Sequence, residues 1–230
     1  MLKIDKLDFS FGKQQILKEL SLHIYKPGIY CIMAPNGTGK TTLLRLMAGL
    51  KQEGKNKIFL SSGPMGKHLI TQAQHKEFHE RLFYFEPETM FYPELSVADH
   101  AKLISSLYRS SSYMDEVMCR TGVASYKDKL VSDLSLGMRQ MAALVLALGS
   151  NAPHIVLDEP INGLDPINLE LVKEIMREQV TKGKIIILSS HLLEELDSFV
   201  NGAYFLYKGG LLEAELGKDI KTQFMKLFRP

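Results

Sequence analysis

Apolar and polar residues alternate at the start of the chain, where Met1-Leu-Lys-Ile-Asp-Lys-Leu-Asp-Phe9 reads as a half-exposed strand. The pattern predicts a first strand over Leu2 to Phe11, a turn at Gly12 to Gln15, and a second alternating strand from Ile16 to Tyr25. Pro27-Gly28 then punctuates before a continuous apolar run, Gly28 to Met33, of the kind a buried strand requires. A helix follows, to about Gly49. Short strands are predicted at Ile58 to Leu60 and Leu82 to Phe85, with polar or turn-like residues at 61–66 and no clear pattern from Gln72 to Glu80.

From Pro93 the period becomes helical. Ser96 can cap a helix that carries Val97, Ala101, Ile104 and Leu107 on one face. A second helix runs from Met114 to Arg120 and ends at Gly122, and Ser135 can cap a third, nearly all apolar, through Leu148. Strands then return at Ile155 to Leu157 and Lys184 to Leu188, around a helix that Pro166 starts and Gly183 ends. A short helix over Leu192 to Val200, a hairpin over Ala203 to Glu215 and a helix from Asp219 to Phe228 complete the pattern. The order predicts one α/β domain: a core of residues 1–92 and 150–230 with an antiparallel β subdomain, interrupted by an α-helical lobe of residues 93–149.

Composition narrows the function classes. The chain has 230 residues, 45% hydrophobic and 23% charged, the balance of an ordinary globular domain. A formal net charge of +2 gives no argument for nucleic acid, and none is expected as a partner. The longest apolar run, Met141 to Leu148, is too short to cross a bilayer, and no secretory leader is expected at the N-terminus. The two cysteines, Cys31 and Cys119, have no metal-ligand spacing and read as reduced thiols in the cytoplasm.

The candidate chemistry begins at Ala34-Pro-Asn36-Gly37-Thr38-Gly39-Lys40-Thr41-Thr42, between a predicted buried strand and a predicted helix. This is the context of a phosphate-binding loop. Glycines let backbone N–H groups turn inward around a phosphate chain, and the helix N-terminus adds unpaired donors and a favourable dipole. Lys40 supplies a point charge for the outer phosphates, and the Thr41 hydroxyl can ligate magnesium. Ala34 stands where such loops usually begin with glycine, but a single methyl should still let the loop close.

A second signal lies at the end of the strand leading to Asp158-Glu159-Pro160. Successive strand residues point to opposite faces, so the two carboxylates can serve different ends. Asp158 suits a magnesium anchor and Glu159 suits polarising an attacking water.

With these motifs in order, the chain resembles the ATPase subunit of ABC transporters, a P-loop NTPase, over essentially its full length. The loop at Ala34 to Thr41 looks like Walker A, and Ile155 to Glu159 like Walker B. Leu134-Ser135-Leu136-Gly137-Met138-Arg139-Gln140 is similar to the ABC signature, Asn162-Gly-Leu-Asp165-Pro166 to the D-loop, and Ser189-Ser-His191 to the switch histidine segment. The resemblance implies that Phe11 stacks on adenine, that Ser135 and Gly137 face the γ-phosphate held by another subunit, that His191 contacts that phosphate, and that Asp165 lies at the subunit interface. It implies ATP and Mg2+ as cofactors, a second copy or a homologous subunit as one partner, and a separate transmembrane permease as the other. That places the chain in the cytoplasm, peripheral at the inner face of the cell membrane. The form Leu-Ser-x-Gly-Met-x-Gln is similar to the branch associated with drug, peptide or antibiotic export.

The chain departs from the family pattern twice. Leu136-Gly137-Met138 stands where Gly-Gly-Gln is common, and methionine cannot donate the hydrogen bond of a glutamine. Tyr84-Phe-Glu86-Pro87-Glu88 falls where the family has its Q-loop glutamine. Glu86 can take over magnesium there, although Pro87 and Glu88 align about as well. Other readings are a soluble ABC-type ATPase acting on ribosomes or DNA, or a nucleotide-binding regulator with little turnover. A GTPase is disfavoured, because no Asn-Lys-x-Asp motif is present.

Overall fold

The structure is a computed structural model that describes residues 1–51, 56–61, 69–86, 90–190 and 199–229. Strands β1 (Leu2–Phe11), β2 (Gln14–Ile24), β4 (Ile58–Ser61) and β5 (Leu69–Thr71) form an antiparallel sheet in the order β2-β1-β4-β5. In β1, Leu2 and Ile4 share the buried face with Leu7 and Phe9, although strict alternation would put the two pairs on opposite faces. The register shifts between Ile4 and Leu7, and Lys6 adopts a positive φ of 45°. At the next register shift, beside Asp8, Glu19 of β2 does the same at 44°, so Leu17 and Leu20 both stay inside. The two irregularities act as bulges that keep the apolar phase of both strands on the core.

The second sheet has the order β10-β9-β3-β8-β7-β6, using β3 (Gly28–Met33), β6 (Leu82–Phe85), β7 (His154–Leu157), β8 (Ile185–Ser190), β9 (Gly202–Tyr207) and β10 (Gly210–Glu213). All neighbours in it are parallel except the β9–β10 hairpin. The Lys18 N–H donates to the Gly209 carbonyl at 2.9 Å and ties the hairpin to β2 of the other sheet. On one face of the parallel sheet, Ile32, Val156 and Ile187 pack with the antiparallel sheet and with α1 (Lys40–Met47). On the other, Cys31, Met33, Leu157 and Leu188 pack with residues of α3 (Val97–Tyr108), α4 (Ser111–Arg120), α5 (Leu136–Gly149) and α6 (Pro166–Thr181). Burial in this core pushes the Cys31 thiol up, which leaves it inert.

The helices begin where side-chain caps occur. Ser96 and Asp99 form a reciprocal capping box on α3, Ser135 accepts from the Met138 N–H at the start of α5, and Asp165 caps α6. α5 is buried from Gln140 to Gly149, which explains its all-apolar sequence. The Arg120 guanidinium of α4 grips both Glu178 oxygens of α6 at 2.7 Å. A last helix, α7 (Ile220–Phe228), is capped by Asp219.

One expectation needs correction, and two short elements had no readable pattern. Leu107 does not join the core face of α3; it is 62% exposed, and His100 and the partly buried Tyr108 extend that face instead. Residues 75–79, without a readable pattern, form a one-turn helix, α2 (His75–His79), anchored by buried Phe78. Strand β5 was not anticipated either, since three residues are too few to show alternation. The expected turn at 61–66 falls almost wholly, and the helix at 192–200 mostly, outside the described residues.

Candidate functional site

In an open parallel sheet, ligands bind beyond the carboxyl ends of the strands. Strands β3, β8, β7 and β6 are consecutive neighbours, so the loop after β3, the acids after β7, the end of β8 and Glu86 after β6 all meet at one edge. Four segments distant in sequence become adjacent through strand order alone.

The loop from Ala34 to Gly39 curls around the start of α1. Gly37 and Gly39 hold positive φ angles of 79° and 104°. A Cβ on Gly39 would lie 2.5 Å from the Ile16 side chain. Thr38 donates from its hydroxyl to the Pro35 carbonyl at 2.7 Å, and Asn36 is exposed at the loop tip. The buried Lys40 ammonium donates to the carbonyls of Ala34 at 2.7 Å and Pro35 at 3.3 Å. The loop has therefore closed with alanine at its first position. Burial pulls Lys40 below the usual lysine range, and the carboxylates of Glu159 and Asp158 oppose that pull. Thr41 and Thr42 occupy the first turn of α1, half-buried at the loop's base.

At the end of β7, buried Asp158 accepts a hydrogen bond from the Ser189 hydroxyl at 2.6 Å. That hydroxyl in turn accepts from the Glu159 backbone N–H at 2.8 Å. Glu159 has a positive φ of 46°, a left-handed conformation that is uncommon for glutamate. One of its oxygens accepts from the Asn162 amide and the other lies 3.9 Å from Lys40. The set joins a lysine, two carboxylates and a hydroxyl at one strand edge. Thr41 and Asp158 offer the oxygen donors that magnesium prefers, and the glycine loop offers N–H groups to phosphates, so these residues fit Mg-ATP.

Glu86 reaches the same edge, held in a fork by Arg45 of α1 and approached by the Tyr84 hydroxyl at 3.3 Å. Pro87 and Glu88, the alternatives to it, and His191 lie outside the described residues.

The remaining expected residues belong to other elements. Ser135 and Gly137 are exposed at the N-terminus of α5. Asp165 accepts from the N–H groups of Ile167 and Asn168, both at 3.0 Å, and these bonds hold its carboxyl below the usual range. Phe11 is 53% exposed, meets Phe9 edge to face at 4.9 Å, and lies under the Lys51 ammonium at 5.0 Å. Sequence reasoning gave no role to Ser189, Arg45 or Gln140. Buried Gln140 donates to the Pro160 carbonyl at 2.8 Å and so pins α5 to the turn after Glu159. Its place at the end of the signature-like segment, just before the apolar run of α5, was the available signal for it.

A P-loop between a parallel strand and a helix, with paired acids on a nearby strand end, defines a P-loop NTPase fold. Residues 17–162 match the family model described as ABC transporter, and the chain belongs to that family as an ATPase subunit. The lantibiotic transport ATP-binding protein SrtF of Streptococcus pyogenes is 28% identical over 213 residues, spanning 92% of this chain and 89% of that protein. The bacitracin transport ATP-binding protein BcrA of Bacillus licheniformis is 29% identical over 218 residues, 93% of this chain and 69% of that one. Among solved structures, an ATP-binding subunit of an ABC transporter superposes with a TM-score of 0.83 at 22% identity, covering 99% of this chain and 95% of that one. The cassette MJ0796, in a dimeric post-hydrolysis state bound to ADP and Pi, gives 0.78 at 20% identity, covering 94% and 99%. These two likenesses show the fold.

Proposed function

We propose that this chain is the motor subunit of a transporter, in which two copies, or one copy and a homologous subunit, close head to tail around two Mg-ATP. The observation that carries the reading is the meeting of Lys40, Asp158 and Glu159 at one strand edge while Ser135 stands exposed at the start of α5, its hydroxyl accepting only the capping Met138 N–H among the described hydrogen bonds. A site that needs Ser135 and Gly137 is then completed by a second subunit. Exposed Leu136 and Ile167, 74% and 83% accessible beside Ser135 and Asp165, favour such a cover, because burying them removes apolar surface from water.

In this mechanism Lys40 and the backbone N–H groups of residues 36–42 bind the phosphates, and Phe11 stacks on the base. Magnesium, when bound at Thr41 and Asp158 with Glu86 close by, neutralises phosphate charge. Glu159 accepts the proton of the attacking water, positioned by Asn162 and by the Ser189 bond to its backbone. Ser135 of the second copy, Lys40 and His191 stabilise the charge that develops on the γ-phosphate. Asp165 lies at the contact between copies.

The transmembrane path belongs to a separate partner: among the described residues no helix is long and apolar enough to cross a membrane. The subunit then sits at the inner face of the cell membrane through that partner. The helical lobe of residues 93–149 moves relative to the core, and the segment from Glu86 to Tyr108, with exposed Tyr92 and Leu103, passes the motion on. The named relatives in lantibiotic and bacitracin transport support a drug or peptide as cargo, and the likeness of the signature form supports export as its direction.

The test is the solution mass of the Glu159→Gln chain with and without Mg-ATP. Hydrolysis should fall by roughly 10²–10⁴-fold, the range for loss of a general base, while bound ATP drives dimerisation. A monomer at saturating ATP overturns head-to-tail closure of the chain by itself.

A further inference from the structure

Glu86 and Arg45 form a contact that the family pattern does not supply. Glu86 follows β6, next to the strand that ends in Asp158, and its side chain is only 10% exposed. Arg45 Nε donates to both carboxylate oxygens, at 3.1 and 3.2 Å, and a terminal nitrogen donates to Oε1. The Tyr84 hydroxyl adds a further donor to Oε2. Arg45 lies four residues after Thr41 on α1, so the two share one face of the helix, roughly 6 Å apart along its axis. The carboxylate is therefore held by a residue one helical turn beyond the hydroxyl expected at the metal.

A buried carboxylate must be compensated, and two cations compete for this one. Paired with Arg45, Glu86 is electrically neutral as a unit, as a glutamine would be. Released, it presents a negative charge to a divalent cation beside Asp158. We propose that Arg45 is a positioning residue that competes with the divalent cation for Glu86 and thereby sets the Mg2+ requirement of ATP binding. This rests on the assignment of the ATP site above.

The experiment is an Mg2+ titration of the binding of a fluorescent ATP analogue to the full chain, read as the Mg2+ concentration at half-saturation. Arg45→Ala should lower that concentration by about tenfold, within the span of coupled sites. With Glu86→Gln present, Arg45→Ala should change nothing. An equal shift with and without Glu86→Gln overturns the proposal, because Arg45 would then act on the nucleotide directly. No shift in either background overturns it too, leaving a structural ion pair. Circular dichroism checks the fold; if Arg45→Ala unfolds, Arg45→Lys, which keeps the charge and loses the fork, should give a smaller shift of the same sign, and an unchanged requirement there counts against the proposal. Absence of nucleotide binding by the unmodified chain would fail the site assignment itself, a distinct result.

Discussion

The hydroxyl of Ser189 stands between two functions of the neighbouring strand: it donates to Asp158 Oδ1 and accepts from the backbone of Glu159. One buried oxygen thus fixes an expected metal anchor and the peptide of an expected base. The left-handed backbone of Glu159 is held by this bond and by Asn162.

Ser189→Ala should lower hydrolysis more than it lowers nucleotide affinity. The substitution strands a backbone N–H and removes a donor from a buried carboxylate, at a cost of about 1–3 kcal/mol. A fall in kcat on the order of tenfold is expected, since ~1.4 kcal/mol is one decade. Ser189→Thr keeps the hydroxyl and should retain most activity. Steady-state ATPase assays separating kcat from KM check this.

Gly39→Ala should abolish tight nucleotide binding. A positive φ costs an alanine roughly 1–2 kcal/mol, and its methyl would collide with Ile16. Adding Ile16→Ala relieves the collision and leaves the backbone cost, so recovery should be partial. Fluorescent-nucleotide titration distinguishes the two contributions.

Acid should weaken the fold through His154. Its ring is buried between the carbonyls of Arg81 and Met1, and burial lowers its pKa from the ordinary 6.5 to about 4. Above pH 6.5 both folded and unfolded chains carry it neutral and no penalty arises. As pH falls toward 4 the unfolded chain takes up the proton first, so stability drops through that window, by no more than a few kcal/mol. In His154→Gln the decline of Tm between pH 6.5 and 4 should be shallower; an identical slope would contradict the assignment.

Local order was largely legible in the sequence. The apolar run of β3, the cap of α5 and the proline start of α6 are signals carried within a few residues. So was the candidate phosphate loop, whose glycines and lysine sit side by side. What stayed hidden were contacts made by tertiary packing: Arg45 of α1 with Glu86 across 41 residues, and Ser189 of β8 with Asp158 across 31. Neither leaves a periodic trace, because a single hydrogen bond between distant elements constrains one residue on each side. Leu107 misled for a related reason. Helical spacing places it beside the core stripe, but Tyr108, whose hydroxyl bonds the carbonyls of His79 and Leu82, is the residue that extends it.

The two ends of α6 are both fastened. Asp165 closes the first turn with two backbone bonds, and Glu178, near the last, is gripped by Arg120 of α4. Between them lie roughly 20 Å of helix at the usual rise per residue. A helix resists compression, so α6 works as a strut: whatever presses on the turn before Pro166 bears on α4 near the other end of the helix.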